Sequence, residues 1–219
     1  MSEMLKAVLW DNDGVLVDTE TLFFDITQAA FARLGLALTK EIWGNRYLSE
    51  GRPSRQIAAE LGGDPAQIAP VLEERNEQYR RILAGPAVIR PRVRETLQAL
   101  RGRVRLAIVT GCDRGQLDLV HKSTGLLDFF EVIITSDDGT HAKPHPELYL
   151  SALKAMKLNP DECIAIEDSP RGCASARAAG IPCIAVPTEL TQGLRFDGAL
   201  SIETDVSGVL RRIIPLQQR

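Results

Sequence analysis

The chain has 219 residues, 44% of them hydrophobic and 25% charged, with 26 basic against 29 acidic residues for a formal charge of −3. That length buries a substantial core and leaves room for a small second domain. The near balance of charge gives no overall field toward nucleic acid or an anionic membrane, so neither is an expected partner and any anionic ligand must be caught locally.

Cysteines Cys112, Cys163, Cys173 and Cys183 lack a C-x-x-C spacing, which excludes a zinc knuckle and a dithiol redox motif and leaves them as small apolar core residues. The start, Met1 to Lys6, has no basic region followed by an apolar stretch, and no run approaches the roughly 20 apolar residues of a membrane span. A reducing cytoplasm and a monomer or weak homodimer are the expectations.

In chain order, Leu5 to Trp10 is an apolar run that stops abruptly at Asp11-Asn12-Asp13-Gly14, the pattern of a buried strand entering a polar loop. From about Asp18 to Gly85 there are helical patterns but no convincing strand. Ser54 is expected to cap one helix ending near Gly62, and Asp64-Pro65 opens a longer one reaching about Leu83. The next strand, Val104 to Val109, halts at Thr110, Gly111, Cys112 and Asp113. Strands then alternate with helices. Val132–Thr135, Cys163–Ile166 and Cys183–Val186 are the strands; the helices start after Asp113 and stop at Gly125, run from Glu147 to Lys157, and follow Pro170 to a stop at Gly180. This alternation predicts an α/β fold with a parallel sheet. The expected division is a core of 1–16 and 87–219 and a helical cap of 17–86, inserted after the first strand and lying over the carboxyl ends of the strands.

Four polar clusters follow the apolar runs: Asp11/Asp13, Thr110-Gly111, Lys143-Pro144 and Glu167-Asp168-Ser169. A parallel sheet places three of them at strand ends on one edge, with the lysine delivered by a following loop. Carboxylates gathered without compensation repel one another and rise in pKa, so their convergence makes sense around a cation. Oxygen donors suit a hard metal, and magnesium is usually held by one or two carboxylates plus waters and a phosphate.

In order and spacing, Asp11-Asn12-Asp13-Gly14-Val15, Val109-Thr110-Gly111, Lys143-Pro144-His145-Pro146-Glu147 and Ile166-Glu167-Asp168-Ser169 resemble the four signature motifs of the haloacid dehalogenase superfamily. Leu16 to Glu20 and Ala176 to Pro187 look like its β-phosphoglucomutase and phosphoglycolate-phosphatase branch. The resemblance implies a Rossmann-like core with a helical cap, and magnesium-dependent phosphoryl transfer from a small phosphorylated metabolite such as a sugar phosphate or a phosphoglycolate-like ester. It also implies roles. Asp11 is the nucleophile that becomes an aspartyl-phosphate, and Asp13 the acid and base. Thr110 bonds the phosphoryl group, and Lys143 steadies nucleophile and phosphate. Magnesium is held by Asp11, the Asp13 main-chain carbonyl and Asp168, with Glu167 direct or through water. Gly111, Glu20, Arg52 and Arg55 are the candidates for substrate contact.

Each cluster alone has a plainer reading. Asp11 to Gly14 matches the start of a calcium loop, but an EF-hand needs an oxygen ligand at its fifth position and a glutamate at its twelfth, where Val15 and Leu22 stand. Thr110-Gly111 and Ser169 also suit helix starts, Asp18 and Glu20 suit first-turn charges, and Arg52 and Arg55 suit a solvated surface. Asp137 and Asp138 lie near the active edge in supporting positions, and His121, His141 and His145 receive no role. Asp13 argues against dehalogenation, whose enzymes lack an aspartate two residues after the nucleophile. Phe23 stands where the branch's mutases carry a histidine, which favours hydrolysis over isomerisation. A non-catalytic relative keeping only the fold is disfavoured, because all four clusters are intact.

Overall fold

In a computed structural model of the protein, which describes residues 5–214, six parallel strands form one sheet. They are β1 (Ala7–Trp10), β2 (Arg105–Val109), β3 (Val132–Ile134), β4 (Cys163–Glu167), β5 (Cys183–Ala185) and β6 (Ser201–Ile202), in the spatial order 3-2-1-4-5-6. β1 lies in the middle, with Trp10 level with Ile108 of β2 and Ile166 of β4. All four of its residues are buried, as a central parallel strand covered on both faces requires. Alternation sends Val8 and Trp10 to one face, and Ala7 and Leu9 to the other. The first face packs on helices α5 (Val93–Leu100) and α9 (Gly208–Ile213); the second packs on α7 (Glu147–Met156) and α8 (Pro170–Ala178).

Between β1 and α5 the chain is helical: α1 (Glu20–Arg33), α2 (Lys40–Ile42), a π-helical turn over Trp43–Ser49, α3 (Ser54–Glu60) and α4 (Pro65–Leu83). These segments share an apolar cluster built on Phe24, Phe31, Trp43, Leu48, Ile57 and Ile68, to which Leu190 of the sheet layer contributes. Asp64 caps α4 as expected, its Oδ1 accepting the Ala66 N–H at 2.9 Å.

Two local expectations change, and one strand was not foreseen. Ser54 is the first residue of α3 behind Pro53, and its hydroxyl accepts from Arg75 Nη1 at 3.1 Å instead of capping. The helix after Asp113, α6 (Arg114–His121), stops before Gly125 because the Thr124 hydroxyl bonds back to the His121 carbonyl and accepts the Leu126 N–H. Strand β6 has only two residues, with Ile202 exposed, too short to leave a period-two pattern. Ser169 and Gly180 behave as read: Ser169 Oγ accepts the Gly172 N–H at 3.2 Å, and Gly180 follows α8 at φ +82°.

Candidate active site

Ligands of open α/β sheets bind outside the carboxyl ends of the strands where the strand order reverses, here between β1 and β4. Asp11 leaves β1 at that point, Glu167 ends β4, and Asp168 follows it. Asp11 N donates to the Ile166 carbonyl at 2.9 Å, which ties the two strand ends together. The Asn12 carbonyl accepts from Val15, Leu16 and Val17, curling the loop so that Gly14 at φ +79° passes against Asp168. A Cβ at Gly14 would stand 2.1 Å from Asp168 Oδ2, so only glycine permits the approach.

Lys143 enters from the loop between β3 and α7 and is buried. Its Nζ donates to Asp11 Oδ1 at 2.9 Å, Glu167 Oε1 at 2.7 Å and the Val109 carbonyl at 2.8 Å. Tyr149 adds a 2.6 Å bond from its hydroxyl to Glu167 Oε1. Burial alone would lower the lysine pKa, but Asp11 and Glu167 outweigh it and hold the ammonium charged. Thr110, fully buried after β2, donates to Asp13 Oδ2 at 3.2 Å, and the Thr19 hydroxyl donates to Asp13 Oδ1.

Lys143, even with the Arg171 guanidinium facing Asp168, does not balance the acids. Burial, then Glu167, raises the Asp11 pKa to about 7 against the opposing pull of Lys143. Burial, then Asp11 and Glu20, raises Asp168 well above the usual carboxylate range. Asp11, Glu167 and Asp168 each offer an oxygen within 4.8 Å of the others. Glu167 Oε2 and Asp168 Oδ2 are buried without a hydrogen-bond partner, and native structures seldom leave such atoms orphaned. Two buried, unpartnered carboxylate oxygens beside an over-acidic cluster fit a divalent cation with oxygen preference.

The structure thus brings together Asp11, Asp13, Thr110, Lys143, Glu167 and Asp168. Gly111 is exposed next to Thr110. Glu20 is buried at the start of α1; burial raises its pKa against the opposing charge of Arg171, and Trp43 Nε1 donates to it at 3.2 Å. Arg52 and Arg55 stay outside this cluster: Arg52 pairs with Glu50 and Glu60, and Arg55 is exposed on α3. Their neighbour Gly51 does reach the lysine loop, where a Cβ would meet Pro144 Cδ at 2.8 Å. Asp138 accepts the Thr135 N–H and Asp137 the Arg114 N–H, so both pin loops beside the site. Cys112 packs against Thr110, and all four cysteines are free thiols.

Besides Tyr149, three residues escaped the sequence reading. Arg171, on α8, lies over the Tyr47 ring at 4.2 Å and faces Glu20 and Asp168. Its position two residues after Ser169 was a usable signal. Arg75 is buried in α4; Nη1 donates to Thr27 and Ser54, Nε and Nη2 to Asn76, and the guanidinium lies 4.6 Å from the Phe23 ring centroid. It interrupts the otherwise apolar stripe Ile68, Leu72, Tyr79, Leu83, and a charge on such a stripe is legible in principle. His121, given no role, is buried with Nε2 2.7 Å from Asn12 Oδ1 and Nδ1 2.9 Å from the Thr124 hydroxyl.

The profile of the haloacid dehalogenase-like hydrolases matches residues 8–186. CbbY of Rhodobacter capsulatus is 35% identical over 96% of this chain and 98% of its own. A phosphorylated carbohydrates phosphatase of Thermotoga maritima is 28% identical over 81% of this chain and 82% of its own. Among solved structures, CbbY of Rhodobacter sphaeroides in complex with xylulose-(1,5)bisphosphate aligns with a TM-score of 0.74 at 26% identity, covering 92% of this chain and 95% of that one. The matched span runs from the second residue of β1 through β5 and contains every residue of the acidic cluster, and the chain therefore belongs to the haloacid dehalogenase-like hydrolases, in the branch that holds CbbY and the β-phosphoglucomutases.

Proposed function

We propose that this protein is a magnesium-dependent phosphatase that hydrolyses a small phosphorylated sugar through an aspartyl-phosphate on Asp11. The observation that carries the reading is the pair of orphaned oxygens, Glu167 Oε2 and Asp168 Oδ2, next to an aspartate whose other neighbour is a buried lysine. Asp11, the Asp13 main-chain carbonyl and Asp168 would hold the ion, with Glu167 beside them. Bound there, magnesium neutralises phosphate and carboxylate charge so that the two anions can meet.

The residues divide the remaining work. Lys143 holds Asp11 Oδ1, which leaves Oδ2 to attack phosphorus as the ester P–O bond breaks. Asp13 gives its proton to the departing alkoxide, then takes one from the water that attacks the aspartyl-phosphate, releasing phosphate and restoring Asp11. Thr19 and Thr110, both donating to Asp13, fix its carboxyl between two hydroxyls. Thr110 and the exposed backbone at Gly111 border the phosphoryl pocket. The helices of residues 17–86 act as a cap, with Gly51, Arg52 and Arg55 at its rim and Glu20, Tyr47 and Phe23 over the leaving group.

The relatives support a sugar as that leaving group, since CbbY was solved with a bisphosphorylated sugar and the Thermotoga protein is named for phosphorylated carbohydrates. Arg75, a buried guanidinium whose bonds go to hydroxyls and an amide, and Arg171 beside Glu20 support a substrate with polar or anionic substituents. Phe23 packs against Trp43, Tyr47 and Tyr79 and offers no hydrogen bond, which supports hydrolysis over isomerisation. A screen of phosphorylated metabolites with magnesium, reading released phosphate, tests the proposal. Release from one or more sugar phosphates that stops with chelator is expected. Full activity in excess chelator, or isomerisation of β-glucose 1-phosphate outrunning phosphate release for every substrate, overturns it.

A further inference from the structure

A second set of side chains of metal-ligating type lies outside this site, flanking Lys143 on the same loop. His141, His145 and Glu147 each present a ligand atom within 4.8 Å of the others. Sequence spacing alone did not suggest this, because the meeting is made by a turn and not by a helix face. Glu147, the first residue of α7, takes the Thr140 N–H at 3.0 Å and the His141 N–H at 2.7 Å on Oε2, folding residues 140–147 back on themselves. The same oxygen lies 2.8 Å from His141 Nδ1. The two imidazoles stack with centroids 4.3 Å apart and planes inclined by 26°.

We infer that His141, His145 and Glu147 form a binding site for a borderline divalent transition metal, with zinc the expected occupant. Two imidazoles and a carboxylate are a donor set suited to zinc, and three protein ligands leave a fourth position for water. Magnesium favours oxygen donors, so the two clusters sort their metals: oxygen only at Asp11, Glu167 and Asp168, nitrogen-rich here.

Little has to move. His141 Nδ1 and Glu147 Oε2 share a proton that the ion displaces. His145 Nδ1 gives up only a long 3.3 Å bond from the Glu147 N–H. Glu147 is ready as a carboxylate, because bonds from the His141 ring and backbone hold its pKa down at about 2. The His141 side chain is 61% exposed, which leaves an entry path. Lys154 borders the same groove, and its positive charge weakens cation binding there. Occupancy would staple the start of α7 to the loop two residues from Lys143.

The test is calorimetric titration of the whole protein with zinc chloride under saturating magnesium, which keeps the oxygen site filled, for wild type, His141→Ala, His145→Ala and the double variant. One zinc per chain is expected on the wild type, weakened at least about tenfold in each single variant, since losing a ligand should cost no less than losing a supporting partner. Zinc should also raise the melting temperature of the wild type and leave that of the double variant unmoved. Wild-type protein that binds no zinc, or a double variant that binds it as tightly, overturns the inference. Circular dichroism confirms that the variants, altered only at surface positions, are folded.

Discussion

The floor of the site, at the strand ends, sets Asp11 and Glu167 on the ammonium of Lys143 with Asp168 beside them, whereas the helical layer buries Arg75 among hydroxyls, an amide and the Phe23 ring. The floor therefore holds an excess of buried negative charge, and the helical layer a guanidinium with no carboxylate among its hydrogen-bond partners. Folding alone gains nothing from either arrangement, since each strands a charge away from water without full compensation. Both are what the proposed function would use, a cation at the floor and a polar, anionic ligand between the two.

The largest effect that would break this comparison is at the floor. Asp11→Asn keeps the shape and removes the proposed nucleophile, and turnover should fall on the order of 10⁴-fold or more. Phosphate release by the purified variant checks it, with mass spectrometry to exclude deamidation. Near-normal turnover would remove Asp11 from the mechanism.

Next in size is Gly14→Ala. Its Cβ would press on Asp168 Oδ2 at 2.1 Å and displace that carboxylate, so the magnesium concentration for half-maximal activity should rise at least about tenfold. The residue also sits at φ +79°, and the folded state should lose about 1–2 kcal/mol or more by denaturant titration. An unchanged magnesium requirement would mean that Asp168 does not hold the ion.

In the layer above, Arg75→Met sharpens the contrast because fold and function should respond oppositely. A buried cation without a carboxylate partner contributes little to stability, so the melting temperature should hold or rise. The loss of charged hydrogen bonds, each about 1.5–3 kcal/mol, should raise KM for a substrate with a distal anion by about tenfold or more. Unchanged KM across such substrates would confine Arg75 to a packing role.

The smallest effect is at His121, whose pKa is lowered to about 4 by burial, against the opposing charges of Asp13 and Asp118. A base depressed on folding is protonated first in the unfolded chain, so its stabilisation is complete above about pH 6.5 and is lost as pH falls toward 4. The loss should be about 1–3 kcal/mol. Melting curves across that range should show it in wild type and not in His121→Gln, an amide that can still reach Asn12. Parallel curves would mean that His121 titrates normally.

Much of this was legible from residues alone. Apolar runs at β1, β2, β4 and β5 and the polar breaks after them located the sheet and placed Asp11, Thr110 and Glu167-Asp168 at one edge, because a parallel strand buried on both faces must be continuously apolar and must end where its backbone meets solvent or a ligand. The four clusters in order also made the family recognisable. The sequence did not reveal where unlike elements meet: Arg171 over Tyr47, Arg75 behind Phe23, His121 on Asn12, and His141 against His145. Periodicity reports which side of its own helix or strand a residue occupies. Which second element covers that side, and hence whether a buried charge finds a partner, is decided only when the layers pack.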